Sequence, residues 1–152
     1  MNTRMMNLFF IAAIVCSALI GCKGSGSAGG GEQAQPVVIV ERVTGDSAAL
    51  KELGTMHITT QKKYDALGDK FIFPGEIDFF QYDLVIVALG EQATGGYSID
   101  IESIQFEGNE LLVNGKVTTP AADAVTTQAV TYPYCAVLIP NTPADIVVPF
   151  ID

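Results

Sequence analysis

The sequence predicts a mainly β domain over residues 36–152, an antiparallel sheet or sandwich of about six to seven strands with one or two short helices. Three observations carry that expectation. Runs rich in β-branched residues recur at 37–43, 83–89, 111–118 and 146–150, as strands require. The run at 83–89 (DLVIVAL) is apolar almost without interruption, which marks a strand buried on both faces. Gly108-Asn109 divides two strand-like runs with the two residues of a tight hairpin. The 117 residues from Pro36 to Asp152 suffice to bury about two-thirds of the surface that the unfolded chain exposes.

Taken in order, residues 37–43 (VVIVERV) form the first strand. Asp46 or Ser47 caps a short helical turn over residues 48–53 closed by Gly54, with a strand as the competing reading. Thr60 N-caps a helix over residues 61–67, Tyr64 and Leu67 on its inner face and Gly68 ending it; a helix so short depends on tertiary packing. Residues 83–89 lie centrally in the sheet. Over residues 97–104, Ile99 and Ile101 alternate with Ser98, Asp100 and Glu102, the period of a half-exposed strand. The hairpin leads into a strand at 111–118. Residues 119–126 (TPAADAVT) read as a loop. A long strand follows over 128–139, restricted at Pro133 to an edge or a bulge. Residues 146–150 close the sheet.

The N-terminus reads as a targeting segment. Arg4 precedes the 13-residue apolar stretch 8–20 (LFFIAAIVCSALI), a length that suits a signal-peptide core and falls short of the roughly 20 residues of a spanning helix. The tetrad Leu19-Ile20-Gly21-Cys22 resembles the lipobox of bacterial lipoproteins. The resemblance implies lipidation of Cys22 and cleavage after Gly21, making residues 1–21 a lipoprotein signal peptide. Residues 22–35 would then hold the lipidated Cys and a Gly/Ser-rich linker with the composition of flexible coil. Two or more acyl chains give a stable anchor. Lys23 rather than Asp follows Cys22, which among such lipoproteins favours the outer membrane, on its periplasmic or surface face.

Charge and chemistry exclude several classes. Seventeen acidic residues against eight basic, net −9, repel nucleic acid; loss of residues 1–21 removes only Arg4 and takes the charge to −10. Once Cys16 leaves with the signal and Cys22 is acylated, only Cys135 remains, so no intramolecular disulfide forms. Cys135, in TYPYCAVLIP, reads as a buried small hydrophobe. The single His, His57, reads as a strand residue with a satisfied ring, and one His without a Cys cluster makes no zinc site. Asp100 and Glu102 share the solvated face of their strand, and no Gly-rich phosphate loop precedes a helix. The expectation is a protein that is not an enzyme, has no catalytic residues and needs no cofactor or metal.

One stretch carries a resemblance. Asp78-Phe79, Leu89-Gly90-Glu91, Thr94-Gly95-Gly96-Tyr97-Ser98-Ile99, Ile101-Glu102 and Tyr132-Pro133-Tyr134 together resemble the PrcB C-terminal domain family, over roughly residues 58–139. TGGYS between two strands is its distinctive core. The namesake is a lipoprotein subunit that supports a surface protease complex. The resemblance therefore implies a lipid-anchored, protease-associated protein-binding module, with no catalytic residues defined by the family.

Within that stretch, Gly95 and Gly96 permit a sharp turn, and Tyr97 just past it can offer its ring to a partner while its hydroxyl stays wet. The competing reading is a hairpin whose glycines satisfy geometry and whose Tyr packs on the sheet. Tyr132 and Tyr134, at i and i+2, share a strand face; if the two strand ends meet, three tyrosines form one patch of the kind enriched at interfaces. The expected partner-binding residues are thus Thr94, Gly95, Gly96, Tyr97, Tyr132 and Tyr134. TGGY also resembles the TTGY loop of chagasin-type cysteine-protease inhibitors, but Gln92-Ala93 stands where those carry Asn-Pro, and the chain has no Trp. Inhibition is accordingly the alternative to a complex-subunit role.

Overall fold

The computed structural model describes residues 33–144 and 146–151. The signal segment, Cys22 and most of the linker lie outside the described residues. Eight strands lie within them: β1 Gln35–Val37, β2 Glu41–Gly45, β3 Leu53–Ile58, β4 Tyr82–Leu89, β5 Ser98–Glu107, β6 Glu110–Thr118, β7 Tyr134–Pro140 and β8 Ile146–Ile151. They form two four-stranded sheets, ordered β1-β5-β6-β8 and β2-β7-β4-β3. The fold is mainly β, as expected.

The apolar run predicted to be central is β4, flanked by β3 and β7 and buried on both faces for a specific reason. Its odd-numbered Val85 and Val87 join Ile99, Ile101, Ile104, Leu111, Val113, Val137 and Ile139 in the core between the sheets. Its even-numbered Leu84 and Ile86 point the other way, under a layer made by Ala48, Leu50, Phe71 and Phe73. A strand with a core on each side cannot afford a polar alternation.

The β5–β6 hairpin turns at Gly108, whose φ of +60° suits a residue without Cβ. Along β5 the register shifts between Ile101 and Ser103. This bulge carries the inward series from Ile99 and Ile101 to Ile104 by a three-residue step. Thr60 caps a helix, α1 Gln61–Asp65, its Oγ1 accepting from Lys63 N at 3.3 Å. Tyr64 and Leu67 pack inward as predicted, and a 3-10 turn at Gly68–Lys70 follows.

Four expectations need correction. Residues 37–43 are not one strand: β1 pairs with β5 in one sheet and β2 with β7 in the other, so the chain changes sheets across residues 38–40. Strand pairing also begins inside the expected linker, at Gln35 opposite Phe106. Residues 48–53 form neither the capped helical turn nor, apart from Leu53, the alternative strand; β3 begins at Leu53 and has Gly54 inside it opposite Ala88. The long strand at 128–139 starts only at Tyr134, because Pro133 has no N–H to give the ladder. Within the expected mainly antiparallel fold one pair is parallel, β8 beside β6.

No helix among the described residues is long and apolar enough to cross a membrane.

Candidate functional site

The TGGYS loop joins β4 to β5, and its backbone is tied down on one side. Gln92 and Thr131 exchange N–H···O bonds at 2.8 and 2.9 Å, and Gly95 N donates to Thr127 O at 3.0 Å. Thr131 Oγ1 donates to Thr94 O at 3.0 Å. At the base of the loop, Leu89 N donates to Pro133 O at 2.9 Å. Residues 119–131, expected to be a loop followed by strand, are thus an irregular clasp closed over residues 92–96.

The glycines fit this clasp. Gly95 is buried, and a Cβ there would collide with the Thr127 hydroxyl. Gly96 has φ +91°, and a Cβ there would lie 3.0 Å from Pro120 Cβ and 3.3 Å from Thr126 Cγ2. Both glycines therefore have a packing role. Tyr97 is half-buried, and among the described residues no hydrogen bond or ring contact joins it to Tyr132 or Tyr134.

Tyr132 comes to the same end of the sandwich as the loop. Its N–H donates to Asp46 O at 2.8 Å and its hydroxyl donates to Glu91 Oε2 at 3.1 Å. Partial desolvation, and then the Glu91 carboxylate, raise the phenol above its ordinary pKa. Tyr134 is committed elsewhere. Its ring stands edge-on to Phe71, centroids 5.2 Å apart at 87°, and fills the space that a Cβ on Gly45 would need. Burial, then the nearby Asp46, push its pKa up as well. Tyr97, Tyr132 and Tyr134 thus lie near one end but not as one stack.

Two long-range clusters had no local signal in the sequence. His57 Nε2 and Asp83 Oδ2 lie 3.0 Å apart, both almost fully buried, and the same carboxylate oxygen accepts Thr142 N at 3.0 Å. The His57 ring is satisfied, as expected. Beyond it opens a cavity of about 280 Å³ lined by Thr59, Lys63 and Pro143 among others. In the second cluster Arg42 pairs with Asp100 at 3.0 Å and donates to Ile101 O at 2.6 Å, linking β2 of one sheet to β5 of the other. Asp100 is therefore half-buried and paired between the sheets, whereas Glu102 is exposed, with Lys116 Nζ 3.9 Å from its carboxylate. Cys135 Sγ lies 3.6 Å from Asp100 Oδ1. Burial, the largest effect, pushes its thiol up to about 11, so Cys135 is a protonated core residue at neutral pH. Among the described residues no three His, Cys, Asp or Glu gather as a metal-ligand set.

Fold and site together define a two-sheet β domain with a Gly-Gly loop clasped at one end. Residues 84–140, from within β4 to the end of β7, match the model of the PrcB C-terminal family. The match is narrower than the resemblance over 58–139, leaving Asp78-Phe79 outside it. No curated protein and no solved structure matches the chain.

Proposed function

We propose that the chain is a lipid-anchored envelope protein whose β domain binds a protein partner, associated with or stabilising a protease complex. The observation that carries this reading is the PrcB C-terminal match across residues 84–140, which contains both the loop and the Tyr132–Tyr134 segment. The clasp supports it physically: a backbone held by hydrogen bonds on one side loses little freedom when a partner docks on the other. Thr94, Gly96, Tyr97 and Tyr132 offer the contact, while Gly95 and Tyr134 shape it. The domain acts by binding rather than catalysis, in keeping with a buried protonated thiol at Cys135 and a His57 ring already engaged by Asp83. Anchoring rests on the Leu19-Ile20-Gly21-Cys22 motif, with the outer membrane as the destination.

The test is affinity capture from the native envelope with the full chain, wild type beside Tyr97→Ala, read by mass spectrometry. A protease or protease subunit held by wild type and lost with the variant supports the reading. Equal capture by both rejects the site, and no enrichment by wild type rejects the binding role. Cys22→Ser is expected to release the protein from membranes; retention would refute lipidation.

A further inference from the structure

We propose that the end of the sandwich opposite the TGGYS loop is a lipid-contacting surface, seated on the membrane through Phe80 with Val38 and Val40 beside it. The proposal rests on the anchoring reading above and adds which face of the domain meets the bilayer and through which side chains.

The topology separates two ends. Strand β5 begins at Ser98, next to the loop, and ends at Glu107, about 30 Å away at the rise of an extended strand. At that far end begins β1, the strand nearest Cys22 in sequence: Gln35 pairs with Phe106, and Val38 lines a cavity of about 330 Å³ with Phe106, Pro140, Asn141 and Pro143. The same end holds the start of β4, with Tyr82 opposite Pro140, and so the turn at Asp78–Gln81. Val40 N donates to Leu138 O here.

Scattered exposed apolar side chains are ordinary on protein surfaces. Among the described residues seven large hydrophobics are exposed: Phe80 at 96%, Val38 at 69% and Val40 at 50% lie at this end, and Leu53, Val125 and Val130 at the loop end, so the tether and not the number of apolar side chains tells the ends apart. Phe80 is also held in place. Its N–H donates to Asp78 Oδ1 at 3.0 Å, its carbonyl accepts Asn141 Nδ2 at 2.9 Å, and the adjacent Phe79 turns inward against Tyr64. A fixed backbone projecting a solvated Phe suits shallow insertion at the boundary of headgroups and acyl chains.

The tether decides which end is near the membrane. Thirteen residues lead from Cys22 to Gln35, so Gln35 can stand at most about 45 Å from the anchor. For the loop end to meet the bilayer instead, Gln35 would stand about 30 Å from it, beyond the roughly 20 Å root-mean-square span of a flexible thirteen-residue coil. The acids at the anchored end, Glu41, Glu107 and Glu110, point to a net-neutral lipid surface rather than an anionic one.

The chain has no Trp, so single Trp probes report without background. The full chain carrying Phe80→Trp, and separately Val125→Trp in the clasp at the loop end, is purified from membranes and reconstituted into phosphatidylcholine vesicles with or without brominated acyl chains. Sedimentation with the vesicles reads the anchor, and quenching of the sedimented protein reads the orientation. Phe80→Trp emission is expected to be quenched several-fold more than Val125→Trp, and less so in phosphatidylglycerol vesicles at low salt. Sedimented protein with equal or absent quenching at both positions overturns the lipid surface and leaves the anchor standing. Protein that does not sediment overturns the anchor, and this inference with it.

Discussion

Gly96 and Pro120 touch with no room for a side chain between them, a Cβ at Gly96 falling 3.0 Å from Pro120 Cβ. Since φ is also +91° there, Gly96→Ala adds backbone strain to the clash, together about 1–3 kcal/mol. Urea unfolding of the variant should show that loss. Pro120→Ala in the same background should recover little of it, because alanine keeps the Cβ that clashes and the backbone strain stays.

Tyr97 is expected to behave differently. Half-buried and without a hydrogen bond among the described residues, it should cost less than about 1 kcal/mol on truncation to Ala. Partner capture should nevertheless be lost. A stability loss as large as that of Gly96→Ala would show that Tyr97 is structural and would sink its assignment to the contact surface.

Asp83 satisfies two groups at once, His57 Nε2 and Thr142 N, each at 3.0 Å. Asp83→Ala leaves both without that acceptor in a buried site and should cost about 2–4 kcal/mol. Asp83→Asn keeps one oxygen acceptor and should cost less. Amide exchange at Thr142 should accelerate more than that at Val137 in the middle of β7.

Alkaline pH should weaken the fold with a defined sign. The Cys135 thiol has its ordinary value of 9.0 pushed up to about 11, chiefly by burial. Above pH 9 the unfolded chain releases this proton while the folded chain keeps it. The contribution is therefore full below pH 9 and lost as pH rises to 11, amounting to about 2–3 kcal/mol. Tyr132 and Tyr134, also raised, act with the same sign above pH 10. Cys135→Ala should flatten the slope between pH 9 and 10 in equilibrium denaturation.

Much of this fold is legible where the signal is local. The uninterrupted run at 83–89, the Ile99–Ile101 alternation, the Gly108-Asn109 turn and the Thr60 cap each depend on neighbours in sequence, and each appears as read. Residues 37–43 mislead because β-branched residues suit a strand in either sheet, and nothing local marks the change of sheet at 38–40. The parallel placement of β8 depends on a crossover and likewise leaves no local trace. The candidate site divides in the same way. Thr94, Gly95, Gly96 and Tyr97 stand out as a turn beside an aromatic residue, but the clasp that fills the space over Gly95 and Gly96 comes from Pro120, Thr126 and Thr127, some thirty residues on. Arg42 with Asp100, and His57 with Asp83, are 58 and 26 residues apart, beyond any periodicity.

The pairing of β2 with β7 sets the order in which this domain can assemble. Glu41 meets Leu138 and Gly45 meets Tyr134, so the first strand of that sheet waits for nearly a hundred residues before its neighbour exists. β4 pairs on the other side of the same late strand. A ribosome that has released everything up to residue 133 has therefore produced only the β3–β4 half of the sheet. Such non-local closure gives slow folding, on the order of milliseconds to seconds. The β2-β7-β4 part of the sheet therefore stays open until β7, in the last eighth of the 152-residue sequence, is available to fill it.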